Sequence, residues 1–248
     1  MARLIQIFQR TLVVITFSTI IYFVLGCQTD NYIKKAEQNL ESFPFAFVGI
    51  NELKKGDIIV KPNSNILPGS SFVTNGKGFG HAALVISDFQ HENIDSLLAG
   101  VEIIESIAKD VPVEFQVRRI KGLVINKSDA FNNTNFDKHF QGNLYRLRLE
   151  LTEQQIDSII AFALDQRNNR SAWNASKSFP DEENYPDKIR KNWADNNTWY
   201  CSLLVWQSIY YVTRNDTDPN GAYMVYPNDL INSKLFDNSS LHRGRVRF

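Results

Sequence analysis

The sequence predicts an α+β domain, and three observations carry that expectation. Short β-branched runs bounded by turn residues recur in the first half of the chain, at Ile58–Val60, His81–Ser87 and Val101–Ile107. A capping box, Thr152 with Gln155, opens a helix over Glu153–Gln166 that carries Ile156, Ile159, Ile160 and Ala163 on one face. A polar stretch then gives way to an apolar run without Gly or Pro, Tyr200-Cys201-Ser202-Leu203-Leu204-Val205-Trp206, which predicts a helix starting at or just before Cys201.

Taken in order, the chain begins with Arg3 and Arg10 in a short basic region, the apolar run Thr11–Val24, and Leu25-Gly26 directly before Cys27. That pattern describes a secretory signal over residues 1–26, because the apolar stretch is too short for a comfortable membrane span. Val24-Leu25-Gly26-Cys27 resembles a bacterial lipoprotein box. The resemblance implies that Cys27 carries the lipid attachment and becomes the mature N-terminus, the acyl chains holding a domain at the membrane of the cell envelope. An uncleaved anchor helix is the alternative, and with it too the body of the protein is exported and tethered. Residues 27–43 read as a polar tether with a short helix around Ile33–Leu40, and residues 44–248 as the domain.

Within that domain, Lys55-Gly56-Asp57 is a turn entering the first strand, and Pro62–Gly80 is a Gly/Ser/Asn-rich loop. Leu144–Leu149 alternates as a further strand. The stretch from Gln166 to Thr198 is polar and spotted with aromatics, long enough for an irregular functional loop or an insertion near 167–198. Tyr226-Pro227-Asn228-Asp229-Leu230 reads as a turn before a short terminal element. A formal net charge of zero, without a basic block, gives no electrostatic argument for a nucleic-acid partner.

The chemistry centres on Cys201. With Cys27 acylated, Cys201 has no partner for a disulfide within the chain and stays available. At a helix start the open backbone N–H groups and the helix dipole favour a thiolate. A nucleophilic thiol needs a base. His91, His139 and His242 lie in polar surroundings and read as solvated, whereas His81 opens an apolar strand directly after Gly76-Lys77-Gly78-Phe79-Gly80. Flexible backbone before a rigid strand end would let that imidazole face a cleft. The glycines follow neither a dinucleotide nor a phosphate-binding pattern, and His and Cys are not at ligand spacing, so neither a cofactor nor a metal is called for. A base of this kind also needs an orienting acid. Glu102 and Glu105 lie on the next strand, three apart and therefore on opposite faces, and alternation alone does not choose between them.

Five blocks in order carry a resemblance: Gly56-Asp57-Ile58-Ile59, Gly80-His81-Ala82-Ala83-Leu84-Val85, Ile103-Ile104-Glu105-Ser106, Tyr200-Cys201-Ser202-Leu203-Leu204-Val205 and Tyr226-Pro227-Asn228-Asp229-Leu230. They resemble the circularly permuted NlpC-like papain-fold cysteine hydrolases, in particular the YiiX/YebB-like branch, in which the histidine strand precedes the cysteine helix. The resemblance implies a permuted papain-like domain, with an antiparallel sheet or half-barrel packed against the helix that carries the cysteine. It implies Cys201 as nucleophile, His81 as base and Glu105 as orienting acid. It also implies a thiol-dependent amidase or peptidase, and an exported lipoprotein would meet peptidoglycan peptides. A lipid ester or N-acyl amide substrate is the alternative, since relatives of the permuted fold include the lecithin:retinol acyltransferase group. A non-catalytic binding module that keeps the pocket is the third. The long stretch Asn168–Asn197 departs from the pattern.

Overall fold

Ten strands, four α-helices and two short 3-10 helices lie among the described residues of this computed structural model, which are 49–62, 80–107, 112–123, 136, 144–172, 175–179, 198–218, 224–237 and 244–248. Cys27, the signal, the tether and most of the Gly-rich loop lie outside them.

The strands are β1 (Glu52–Leu53), β2 (Ile58–Lys61), β3 (His81–Val85), β4 (Phe89–Gln90), β5 (Glu102–Ser106), β6 (Val117–Lys121), β7 (Tyr145–Leu147), β8 (Arg170–Ser171), β9 (Thr198–Trp199) and β10 (Arg245–Arg247). The helices are α1 (Ile94–Gly100), α2 (Glu153–Asp165), α3 (Cys201–Thr213) and α4 (Pro227–Asn232). Six strands form one sheet in the order β10-β7-β2-β3-β5-β6, every neighbouring pair antiparallel. The domain is therefore α+β with an antiparallel sheet, as expected.

Both faces of this sheet are covered, and that explains the near-continuous apolar strands. Ile58, Val60, Ala82, Leu84, Ile104 and Leu147 pack with α2, α3 and α4 in one core. Ile59, Ala83, Val85 and Ile103 turn the other way, into a second core with Leu97 and Leu98 of α1, Phe136 and Phe248. A strand buried on both sides loses the apolar/polar alternation of a half-exposed one. Alternation in Tyr145-Arg146-Leu147 suggests a solvent face for Arg146, but Arg146 is buried with its neighbours.

The start of β2 shows how a turn fixes the frame. Gly56 has φ +87°, a left-handed conformation, and a Cβ there would lie 2.9 Å from Ile156 Cγ2 of α2. Asp57, fully buried, accepts from Arg148 Nε at 2.6 Å and Nη2 at 2.7 Å, and from the Lys54 N–H at 2.8 Å. This bidentate pair joins the beginning of β2 to the residue after β7, so the Gly-Asp block is structural.

Thr152 and Gln155 form the expected capping box of α2. That helix runs Glu153–Asp165, with Gln166 as its cap, and packs against α3. Three expectations need correction. The two long strand readings shorten to β3 and β5, and the third to β7. Tyr226–Leu230 is not a turn but the start of α4, where Pro227 takes the first helical position and Asp229 Oδ2 accepts from the Tyr226 N–H at 2.7 Å. The stretch before the cysteine helix carries regular structure where it is described: β8 pairs with β9 in parallel. Between them, Gln207 of α3 accepts from the Ser178 N–H (3.0 Å) and donates to its carbonyl (3.1 Å), and Lys177 lies buried 2.6 Å from Asp218. Lys177 and Ser178, polar in sequence, are thus engaged inside the fold rather than solvated.

Candidate active site

Cys201 is the first residue of α3, and Tyr200 is its N-cap without a side-chain cap bond. The first-turn N–H groups of a helix have no partner four residues back. Here the Ser202 N–H finds the sulfur. The segment that precedes the helix is held tightly: the Trp199 carbonyl accepts from Ser106 Oγ at 2.8 Å. On the other side, Val225 is bonded twice. Its N–H donates to Tyr200 Oη (2.8 Å) and its carbonyl accepts from Ser202 Oγ (2.7 Å). The two residues flanking the cysteine thus end on one backbone unit and fix the helix start from both sides. Burial, partly offset by the Val225 bond, raises the Tyr200 hydroxyl's pKa, so it stays neutral.

His81 begins β3 and Glu105 lies near the end of β5. The register sets Glu105 opposite Ala83, so His81 and Glu105 share a face and are diagonal neighbours. Their side chains meet, with Nε2 of His81 2.7 Å from Oε2 of Glu105. Phe136 approaches the imidazole edge-on, the ring centroids 4.9 Å apart. Sequence reasoning expects the histidine to face a cleft; in the structure His81 is 1% exposed. The sulfur of Cys201, 4% exposed, hydrogen-bonds the same ring and also accepts from the Ala82 N–H. The Val85 N–H points to the carbonyl of Asp57, just before β2, so alternation turns the Ala82 N–H the other way, towards the β5 side.

The electrostatics follow from these contacts. Burial works against charge on His81, but the Cys201 sulfur and the Glu105 carboxylate outweigh it, and its pKa is pushed up to about 9. Burial likewise opposes a thiolate at Cys201. The His81 charge and hydrogen bond, with the Ala82 and Ser202 N–H groups, overcome it and hold the thiol below its usual range. Both shifts favour a thiolate–imidazolium pair.

Of the sequence-predicted residues, the structure brings together Cys201, His81 and Glu105. Glu102 is on the opposite face of β5, paired with Arg119. His91 is exposed, its Nδ1 accepting from the Asn93 N–H at 3.0 Å. Cys27, His139 and His242 lie outside the described residues. Sequence reasoning misses Arg118, directly opposite Glu105 on β6, which donates from Nε (3.0 Å) and Nη2 (2.9 Å) to Glu105 Oε1. The strand Val117–Lys121 carries three cations in five residues and resembles a solvated edge, yet Arg118 is 7% exposed. A buried carboxylate shared with a histidine is the only hint that a buried cation should be sought.

No family model, curated protein or solved structure matches this chain.

Proposed function

We propose that the protein is an exported, membrane-anchored cysteine hydrolase with a permuted papain-like fold, which cleaves an amide bond in a cell-wall peptide. The observation that carries this reading is the double engagement of one buried imidazole, by Cys201 and by Glu105. Nucleophile, base and orienting group in hydrogen-bond series are the arrangement that thiol catalysis needs.

The mechanism follows from the protonation states. The Cys201 thiolate attacks the amide carbonyl carbon, and the carbonyl electrons move onto oxygen. The Cys201 N–H, at the first helical position, is the donor assigned to that oxyanion. The His81 imidazolium gives its proton to the departing amine, leaving a thioester. Neutral His81 then takes a proton from water as it attacks, the thioester C–S bond breaks, and the thiolate returns. Glu105 holds the ring and stabilises its charge in both halves. The sequence features at residues 1–27 support export and anchoring.

The test is the pH dependence of iodoacetamide labelling at Cys201. An enzyme of this design labels with an apparent pKa well below the roughly 8.5 of an ordinary thiol, and His81→Ala returns it to the ordinary value. A wild-type Cys201 that titrates as an ordinary thiol contradicts the proposal and favours a binding module.

A further inference from the structure

Four ionisable side chains adjoin one another inside the protein: Cys201 against His81, His81 against Glu105, and Glu105 against Arg118. None exceeds 7% exposure. In such surroundings net charge is costly, so the cluster settles into the protonation state nearest neutrality. With Arg118 present, a thiolate, an imidazolium, a carboxylate and a guanidinium together are neutral, and the contacts of His81 and Cys201 favour this set over the equally neutral thiol and imidazole. Without it, the neutral arrangement keeps the imidazolium and carboxylate but restores the proton to sulfur. The histidine then balances the glutamate instead of the cysteine.

We propose that Arg118 is a positioning residue for the nucleophile: by balancing the Glu105 carboxylate, it leaves the His81 charge to hold Cys201 as a thiolate. It acts through Glu105. Both guanidinium donors fall on Oε1, and Oε2 is left to His81, so each oxygen of the carboxylate has its own partner. The cross-strand register fixes the contact, since Glu105 and Arg118 are direct partners on β5 and β6. Lys61, opposite His81 on β2, and Arg146, opposite Ile59 on β7, are the other cations on this sheet face. Glu102 and Arg119 pair with each other on the other face. From α3 the cluster receives Cys201, with Tyr200 beside it.

The inference rests on the reading of Cys201 as a nucleophile, and one experiment separates the two. The ultraviolet absorbance of the thiolate is followed against pH in the full chain, each protein referenced to its own Cys201→Ala counterpart so that Cys27 and the tyrosines cancel. Wild type titrates below the ordinary thiol range, and Arg118→Met raises the midpoint by about one pH unit or more. Arg118→Lys, which keeps the charge, stays near wild type. Adding Glu105→Gln to Arg118→Met removes the unbalanced carboxylate and returns the midpoint towards wild type, a rescue that a merely structural role for Arg118 does not produce. Should Arg118→Met not fold, Arg118→Gln takes its place in both arms. A single variant that titrates like wild type, or a double variant as high as the single, overturns the role of Arg118 while the nucleophile stands. A wild-type Cys201 with an ordinary midpoint overturns both.

Discussion

Glu105 lies one diagonal step from His81 across the β3/β5 pair, with Oε2 2.7 Å from Nε2, while Glu102, three residues earlier, lies on the other face and bonds Arg119. The two glutamates of one strand are thereby assigned different work. Glu105→Gln keeps a hydrogen-bonding group beside the ring but loses the charge that stabilises imidazolium, so hydrolysis slows by roughly a hundredfold with the fold intact. Glu102→Gln leaves the rate close to wild type. Steady-state kinetics on both variants check this, and a silent Glu105→Gln beside a damaging Glu102→Gln would reverse the assignment.

The pH dependence follows from the same contacts. In the proposed mechanism His81 is the acid that protonates the departing group, and its pKa is pushed up to about 9. Above that value the ring loses its proton and activity falls; at acid pH the thiolate is protonated and activity falls again. The profile of kcat/KM is therefore bell-shaped, with its alkaline limb near 9. An alkaline limb near the ordinary histidine value of 6.5 would show that the thiolate and carboxylate do not hold the imidazolium.

Tyr200→Phe removes the acceptor of the Val225 N–H in a fully buried position. An orphaned buried donor costs about 1–3 kcal/mol, which denaturant unfolding detects. Ser202→Ala loses the companion bond to the Val225 carbonyl. Because the two bonds straddle Cys201, the variants destabilise the helix start together, and their effects are non-additive. Unchanged unfolding in both would show that the Val225 clamp contributes nothing.

Cys27→Ser separates the anchor from the fold. The variant folds but moves from the membrane fraction to the soluble or precursor pool, and a palmitate analogue labels wild type alone. Equal labelling of the variant rules out lipidation at Cys27.

Sequence reasoning reaches the strand cores, the α2 capping box and the candidacy of His81 and Cys201, because these rest on local patterns: β-branched runs, a Thr-x-x-Gln spacing, a histidine before an apolar strand. Alternation within β5 leaves two glutamates open, and the family resemblance chooses between them. What stays hidden depends on partners distant in sequence. Arg118 and Arg146 resemble solvent-facing cations until the second core covers their side of the sheet. α1 and the short strands β1 and β4 carry too few residues to show a period. The packing of Phe136 on His81 likewise joins residues far apart in sequence.

The central claim is that Cys201 performs the chemistry. Purified wild type and Cys201→Ala are incubated with muropeptides and with a phospholipid and N-acyl amide panel, and the products are followed by mass spectrometry. Wild type releases cleaved muropeptides and Cys201→Ala, still folded, releases none. Cleavage confined to the lipid panel would move the substrate class and leave the thiol chemistry in place. A folded Cys201→Ala that retains full activity on the substrate would contradict the account as a whole.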